Sequence, residues 1–209
     1  MTASSDSLRL LAPALPRERT AAVPSALGEA ELVACAQAGD RTALQEIYRR
    51  YADTVFRRLT HLLGPDPERE DLLQLVFAEL FRGLQRFRGQ AQFSTYLYRM
   101  VTNIAYDHLS RRSRRGWRRS ADTLENLPVS EPSPEAVAMR RQMVSEVLRC
   151  LDRIKPKKRI AFLLRVSEGL SVEEIAAQVG ASPEAVAKRI QHAQRELLAL
   201  VEKKNRRYP

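Results

Sequence analysis

Apolar residues recur at helical spacing through most of this chain, and no stretch alternates in the two-residue period of a half-buried strand. The pattern predicts an all-α protein. Between Asp71 and Phe87, the side chains of Leu72, Leu73, Val76, Phe77, Leu80, Phe81, Leu84 and Phe87 cover about half of a helical wheel at roughly 100° per residue, which predicts a core-facing stripe. The opposite face carries Asp71, Gln74, Ala78, Arg82 and Gln85, yet Leu75 lies among them. A leucine among polar groups is part of a docking surface for another protein, a singly exposed leucine, or one covered by a neighbouring helix.

A second helix is expected from Ser94 as N-cap, with Leu97, Met100, Val101, Ile104, Ala105 and His108 facing inward. Its outer face aligns Tyr96, Arg99, Asn103, Tyr106, Asp107 and Ser110. Aromatic rings beside an amide and hydroxyls can stack on unpaired bases and hydrogen-bond their edges. Six arginines follow within nine residues, Arg111, Arg112, Arg114, Arg115, Arg118 and Arg119, with Trp117 among them. So dense a run of one sign neutralises phosphates by releasing counterions; a membrane surface or a sorting signal are the other readings.

Near the C-terminus, Ser171 and Glu174 form a capping box that opens a short helix, VEEIAAQV, packing through Ile175, Ala176 and Val179 and stopping at Gly180. Ser182 then caps a longer helix beginning at Pro183, with Val186, Ile190, Ala193, Leu197 and Val201 inside. Glu184, Lys188, Gln191, His192 and Arg195 point outward and Ala187 lies at the margin. Two helices joined by a tight glycine turn, the second carrying polar residues near its start, form the arrangement that enters a major groove, although α-helical hairpins of other function share it.

Breakers divide the chain. Residues 1–27 read as a flexible leader, and 28–119 as a helical domain broken at Gly64-Pro65-Asp66-Pro67 and around Arg88-Gly89-Gln90. Residues 120–135 hold Pro128, Pro132 and Pro134 with four acidic residues and no basic one, the composition of a linker; 136–209 form a second helical domain. The fold class is therefore two small helical domains joined by an acidic flexible linker.

Thirty-five Lys and Arg against 25 Asp and Glu give the 209-residue chain a formal charge of +10, which points to a polyanionic partner. No window approaches the roughly 20 apolar residues of a membrane span, so no membrane insertion and a cytoplasmic location are expected. Cys35 and Cys150 sit in apolar helical patterns as buried free thiols. His61, His108 and His192 are far apart, with no clustered cysteine or carboxylate at ligand spacing, so neither a metal nor another cofactor is expected. No phosphate loop or nucleophile elbow argues for an enzyme.

Together these residues resemble the sigma-70 family, and within it the compact extracytoplasmic-function group, over about residues 30–204. EDLLQLVFAELFRGLQRF is similar to the helix that docks on RNA polymerase, FSTYLYRMVTNIAYDHLSRRSRR to the promoter-melting segment, and the block from Leu151 to Leu197 to the region that reads the upstream promoter element. The resemblance implies core RNA polymerase and promoter DNA as partners, with an anti-sigma factor as a regulator. Asp71, Gln74, Leu75, Ala78 and Arg82 would face polymerase. Asn103 with the loop 88–93 would hold a flipped base of the downstream element beside Tyr96, Arg99, Tyr106 and Asp107, while Arg111, Arg112, Arg114 and Arg115 would grip phosphates. Ser182, Glu184, Ala187, Lys188, Gln191 and His192 fall at the upstream contact surface, and Arg189 at a basic position supporting that helix. The chain departs from the family at Tyr96, where many members carry Trp, and at Glu184, Ala185 and Ala187, which replace a common Gly, Thr and basic residue. A helix-turn-helix regulator acting without polymerase, or a basic RNA-binding protein, are the competing classes.

Overall fold

The structure is a computed structural model that describes residues 27–114 and 146–205. The leader, the acidic linker and Arg115, Trp117, Arg118 and Arg119 lie outside the described residues. Every regular element among the described residues is helical: α1 (Glu29–Gln37), α2 (Arg41–Leu63), α3 (Arg69–Gly83), a 3-10 turn (Leu84–Arg86), α4 (Phe93–Arg114), a helical stretch at 146–151, α5 (Pro156–Ser167), α6 (Val172–Val179) and α7 (Pro183–Asn205).

The first unit packs α1 to α4 around Ile47, Leu59, Val76, Leu80, Leu97 and Val101, all without solvent exposure. Asp40 caps α2, accepting from the Thr42 and Ala43 N–H groups at 2.8 and 3.4 Å. Phe77 of α3 stacks obliquely on Tyr48 of α2 with centroids 4.7 Å apart. The sequence pattern marked the buried face of α3 correctly, with Leu73 and Phe81 only partly covered. Helix α4 begins at Phe93 and the Tyr96 N–H bonds the Gln92 carbonyl at 3.1 Å, so Ser94 lies inside the first turn rather than at the cap.

The second unit buries Leu151, Ile154, Ile160, Leu164, Ile175, Val186 and Ala193. Lys158 of α5 reaches Glu196 of α7 at 2.5 Å. The expected capping box is formed, the Ser171 Oγ accepting from Glu174 N at 3.1 Å and the Glu174 carboxylate from Ser171 N at 2.7 Å. Gly180 ends α6 with a φ of 61°, a left-handed geometry that favours glycine. Gln178 is buried where Val179 was expected to be, because its amide oxygen accepts from a buried arginine of the other unit. Cys150 is buried and Cys35 half-buried, both as free thiols.

His108 corrects the expectation of isolated histidines. The loop after α2 folds Asp66, 42 residues earlier, against it: His108 Nε2 lies 3.0 Å from Asp66 Oδ2, and Nδ1 lies 3.6 Å from Glu68. Asp66 is 1% exposed, also accepts from the Glu68 N–H at 3.0 Å, and is hydrogen-bonded by Arg112. Asp66, Glu68 and His108 are close enough to surround a cation, but the Arg112 guanidinium already occupies Asp66, and the group ties α4 to the loop. Burial pushes the Asp66 carboxyl up, but the hydrogen bonds from His108 and the Glu68 N–H and the charge of Arg112 outweigh it and hold the pKa at about 2. A depressed carboxylate pKa contributes stability that is fully present above the unfolded value near 4 and is lost as pH falls toward 2. Asp66→Ala is expected to cost about 3 kcal/mol in urea unfolding at pH 7. It should also flatten the loss of stability between about pH 4 and pH 2; an unchanged acid limb would remove Asp66 from this role.

Candidate nucleic-acid interface

Three surfaces carry the residues singled out from the sequence. On α3, Asp71, Gln74, Leu75, Ala78 and Arg82 all lie on the solvent side, and Leu75 is 38% exposed among the described residues. Arg82 pairs with Glu79 one turn back. This patch exposes one leucine among polar and charged side chains.

On α4, Arg99, Asn103 and Asp107 are exposed and aligned, one turn apart along the helix. Tyr96 is less free: its ring packs on Phe87 with centroids 5.1 Å apart, and its hydroxyl lies against Gly83, where an added Cβ would come within 3.0 Å. Tyr106 is half-buried with the Lys157 ammonium 5.9 Å from its ring centroid. Arg111 and Arg114 are exposed, whereas Arg112 turns inward to Asp66 with its side chain 11% exposed. The arginine run is thus divided between solvent and scaffold.

Asn103 and the loop before α4 are not brought to one cavity. The loop residues Arg88 to Gln92 line a groove of about 780 Å³ with Glu29, Val33 and Gln37 of α1. Asn103 lies nearly three turns further along α4, at roughly 3.6 residues per turn. It lines a separate cavity of about 120 Å³ with Thr102 and Tyr106 on one side and Lys157, Gly180 and Arg189 on the other. Gln37 fixes the first groove by donating to the Leu84 and Phe87 carbonyls at 2.9 and 2.7 Å.

On α7, Ser182, Glu184, Lys188, Gln191 and His192 are exposed and Ala187 and Arg189 half-buried. Ser182 caps the helix, its Oγ accepting from Ala185 N at 3.2 Å, and Lys188 pairs with Glu184 at 2.6 Å. Arg114 of α4, Lys155 and Lys157 next to or in α5, and Arg189 converge on a groove of about 570 Å³ beside Tyr106 and Ser110. Convergent cations with hydroxyls and a ring favour a phosphate-bearing ligand.

Sequence reasoning missed two arginines that decide how the units meet. Arg58 on α2 is 7% exposed, bonds Glu168 and the Gln178 amide oxygen at 2.5 Å each, and lies 4.7 Å over the Tyr98 ring. Arg159 on α5 is 2% exposed and donates to the Leu62 and Leu63 carbonyls at 3.2 and 3.1 Å and to Asp152 at 2.5 Å. Their signal was positional: Arg58 falls in the buried stripe of Val55, Leu59 and Leu62, and Arg159 precedes an unbroken apolar run.

An α-helical unit with an exposed patch on α3, followed by a helix-turn-helix, is a two-module architecture, and comparison with known proteins places it. The family model for sigma-70 region 2 matches residues 47–115, and that for sigma-70 region 4 matches residues 145–197. The chain is similar to the ECF RNA polymerase sigma factor SigE of Mycolicibacterium smegmatis, with 32% identity over 76% of this chain and 63% of that protein. It is also similar to the RNA polymerase sigma-H factor of Pseudomonas aeruginosa, with 31% identity over 70% of this chain and 79% of that protein. The ECF RNA polymerase sigma-E factor of Escherichia coli is 30% identical over 70% of this chain and 80% of its own length. Among solved structures, that of CnrH in complex with the cytosolic domain of CnrY shares the fold, with a TM-score of 0.57 and 22% identity over 84% of this chain and 97% of that one. The chain belongs to the extracytoplasmic-function group of the sigma-70 family, whose members act in transcription initiation. It spans just under two thirds of the mycobacterial relative, and no helix among the described residues is long and apolar enough to cross a membrane.

The exposed face of α7 contributes little to folding stability, and the capping box that opens α6 contributes more. Lys188→Ala should shift stability by less than about 0.5 kcal/mol. Ser171→Ala, which opens the capping box, should cost about 1 kcal/mol. Urea titration of the two variants checks this, and equal losses would contradict the division.

Proposed function

We propose that this chain binds core RNA polymerase through the α3 patch and directs it to promoters that its two helical units recognise. The observation that carries the reading is the pairing, on one first unit, of an exposed leucine among charges with a face of exposed Arg99, Asn103 and Asp107 continuing into Arg111 and Arg114. The names of the related proteins as RNA polymerase sigma factors support the same reading.

On this reading α4 meets the opened downstream element. An unstacked base costs a few kcal/mol to expose, offset by hydrogen bonds from Asn103 and by attraction of phosphates to Arg111 and Arg114. Tyr96, held on Phe87, supplies a fixed edge rather than a freely stacking ring. The second unit inserts α7 in the major groove of the upstream element, Lys188, Gln191 and His192 facing base edges and Ser182 and the helix start meeting backbone phosphate. Glu184 on that face, paired with Lys188, repels phosphate and narrows which bases are accepted. No nucleotide chemistry is assigned to the chain. An anti-sigma protein is the proposed regulator; CnrH, which shares the fold, was solved with the cytosolic domain of CnrY bound.

Purified chain with core polymerase should start transcription at a defined promoter, and operator binding by a dimer that needs no polymerase would overturn the reading. Asp71→Lys combined with Leu75→Arg should weaken polymerase binding by about 2 kcal/mol, roughly thirtyfold, with the melting temperature unchanged. Asn103→Ala should slow promoter opening, followed with 2-aminopurine in the downstream element, more than it weakens the closed complex; equal losses would remove Asn103 from base capture.

A further inference from the structure

The groove of about 570 Å³ beside Tyr106 and Ser110 falls in the size range of small-molecule sites, roughly 300–1,000 Å³. Its lining brings Arg114 of α4 together with Lys155, Lys157, Lys158 and Arg189, and it holds no carboxylate. Lys158 is balanced by Glu196, which stands outside the lining. That leaves Arg114, Lys155, Lys157 and Arg189 around one space, and like charges so gathered repel. The start of α5 adds to the imbalance. Lys155 stands at its cap with no side-chain hydrogen bond, and the first turn carries no acidic residue against the positive end of the helix. A polyanion seated in the groove would relieve this repulsion, and no side chain in the lining does so.

The groove adjoins a second space. Tyr106, Lys157 and Arg189 also line the cavity of about 120 Å³ that reaches Thr102, Asn103 and Gly180. A cavity of that volume takes a single heterocyclic ring system and leaves no room for the next residue of a strand. The Asn103 amide offers a donor and an acceptor side by side to a base edge, and Tyr106, its ring 5.9 Å from the Lys157 ammonium, offers a stacking face. A row of cations leading to a pocket for one base fits a free nucleotide better than a nucleic-acid chain. Magnesium on a polyphosphate is ordinarily held by carboxylates, and here the four cations take its place.

We propose that the groove and its adjoining pocket bind a nucleoside triphosphate, the phosphates on Arg114, Lys155, Lys157 and Arg189 and the base beside Asn103 and Tyr106. Neither Lys155 nor Lys157 has a part in the proposed promoter or polymerase contacts, so the site supplies a reason for both. It does not depend on the reading of α4 as a DNA surface. Where that reading holds, nucleotide and promoter DNA compete for Asn103 and Arg114, and the nucleotide supply bears directly on promoter binding.

Isothermal titration calorimetry of the full chain at about 0.15 M salt, without magnesium, reads the site in the absence of DNA and polymerase. The probes are ATP, GTP and inorganic tripolyphosphate. ATP or GTP should saturate one site per chain and bind about tenfold more tightly than tripolyphosphate. Lys155→Ala combined with Lys157→Ala, both exposed side chains, should weaken all bound probes about tenfold or more, with the circular dichroism spectrum unchanged. Asn103→Ala should lower nucleotide affinity to that of tripolyphosphate and leave tripolyphosphate itself unaffected. Arg153→Ala, which removes an exposed cation from outside the lining, should change each affinity by less than about twofold. Failure of both nucleotides to bind, tripolyphosphate binding as tightly as either, or an Arg153→Ala loss equal to that of the lysine pair would overturn the proposal. So would a thymine-rich single-stranded oligonucleotide that occupies the groove when neither nucleotide does. Nucleotide binding by a chain that starts no transcription with core polymerase would keep this site and strike the proposed function instead.

Discussion

A buried guanidinium carries five N–H donors that must find acceptors, and helix ends carry carbonyls that must find donors. Arg159 joins these two needs. It enters the core from α5 and donates to the Leu62 and Leu63 carbonyls, the last of α2, at the negative end of that helix, while Asp152 balances its charge. Once the end of α2 is fixed to α5, the short connection through Gly169 sets α6, and the left-handed turn at Gly180 sets α7. The position of the helix-turn-helix relative to the first unit follows from that one capped terminus. Arg58, one turn earlier on the same helix, adds a second buried contact through Glu168 and Gln178.

The loop after α2 serves the opposite end of the architecture. Asp66 draws His108 and Arg112 to itself and so holds the last turns of α4 to the scaffold. The helix can then present Arg99, Asn103 and Asp107 in a straight row and extend Arg111 and Arg114 beyond it. One arginine of the run is consumed in making the others point outward. A surface that meets polyanions gains from such a division, because rigid cations lose less entropy on binding than free ones.

The helical periods of α3, α4 and α7, the capping box of α6 and the exposed position of Leu75 were legible because each depends on residues within a few turns of one another. Asp66, Arg58, Arg159 and Gln178 were not, since each also meets a partner between 42 and 120 residues away and the sequence carries no mark of those pairings. Tyr96 shows an intermediate case: its place on the polar face was legible, but not the Phe87 ring that half-covers it. The joint assignment of Asn103 and the loop 88–93 failed geometrically, since the loop turns toward α1 while Asn103 faces the second unit. Two modules were legible, and their mutual packing was not.

The account rests on two units fixed to each other through the Arg159-capped end of α2. Its most direct test is a spin-label distance between α4 and α7, measured by pulsed dipolar spectroscopy from cysteines placed at Arg111 and Arg195 in a chain whose Cys35 and Cys150 have been replaced by Ala. The account predicts a narrow distance distribution in the unaltered chain and a longer or broader one in Arg159→Ala. The same narrow distribution in both chains would contradict it.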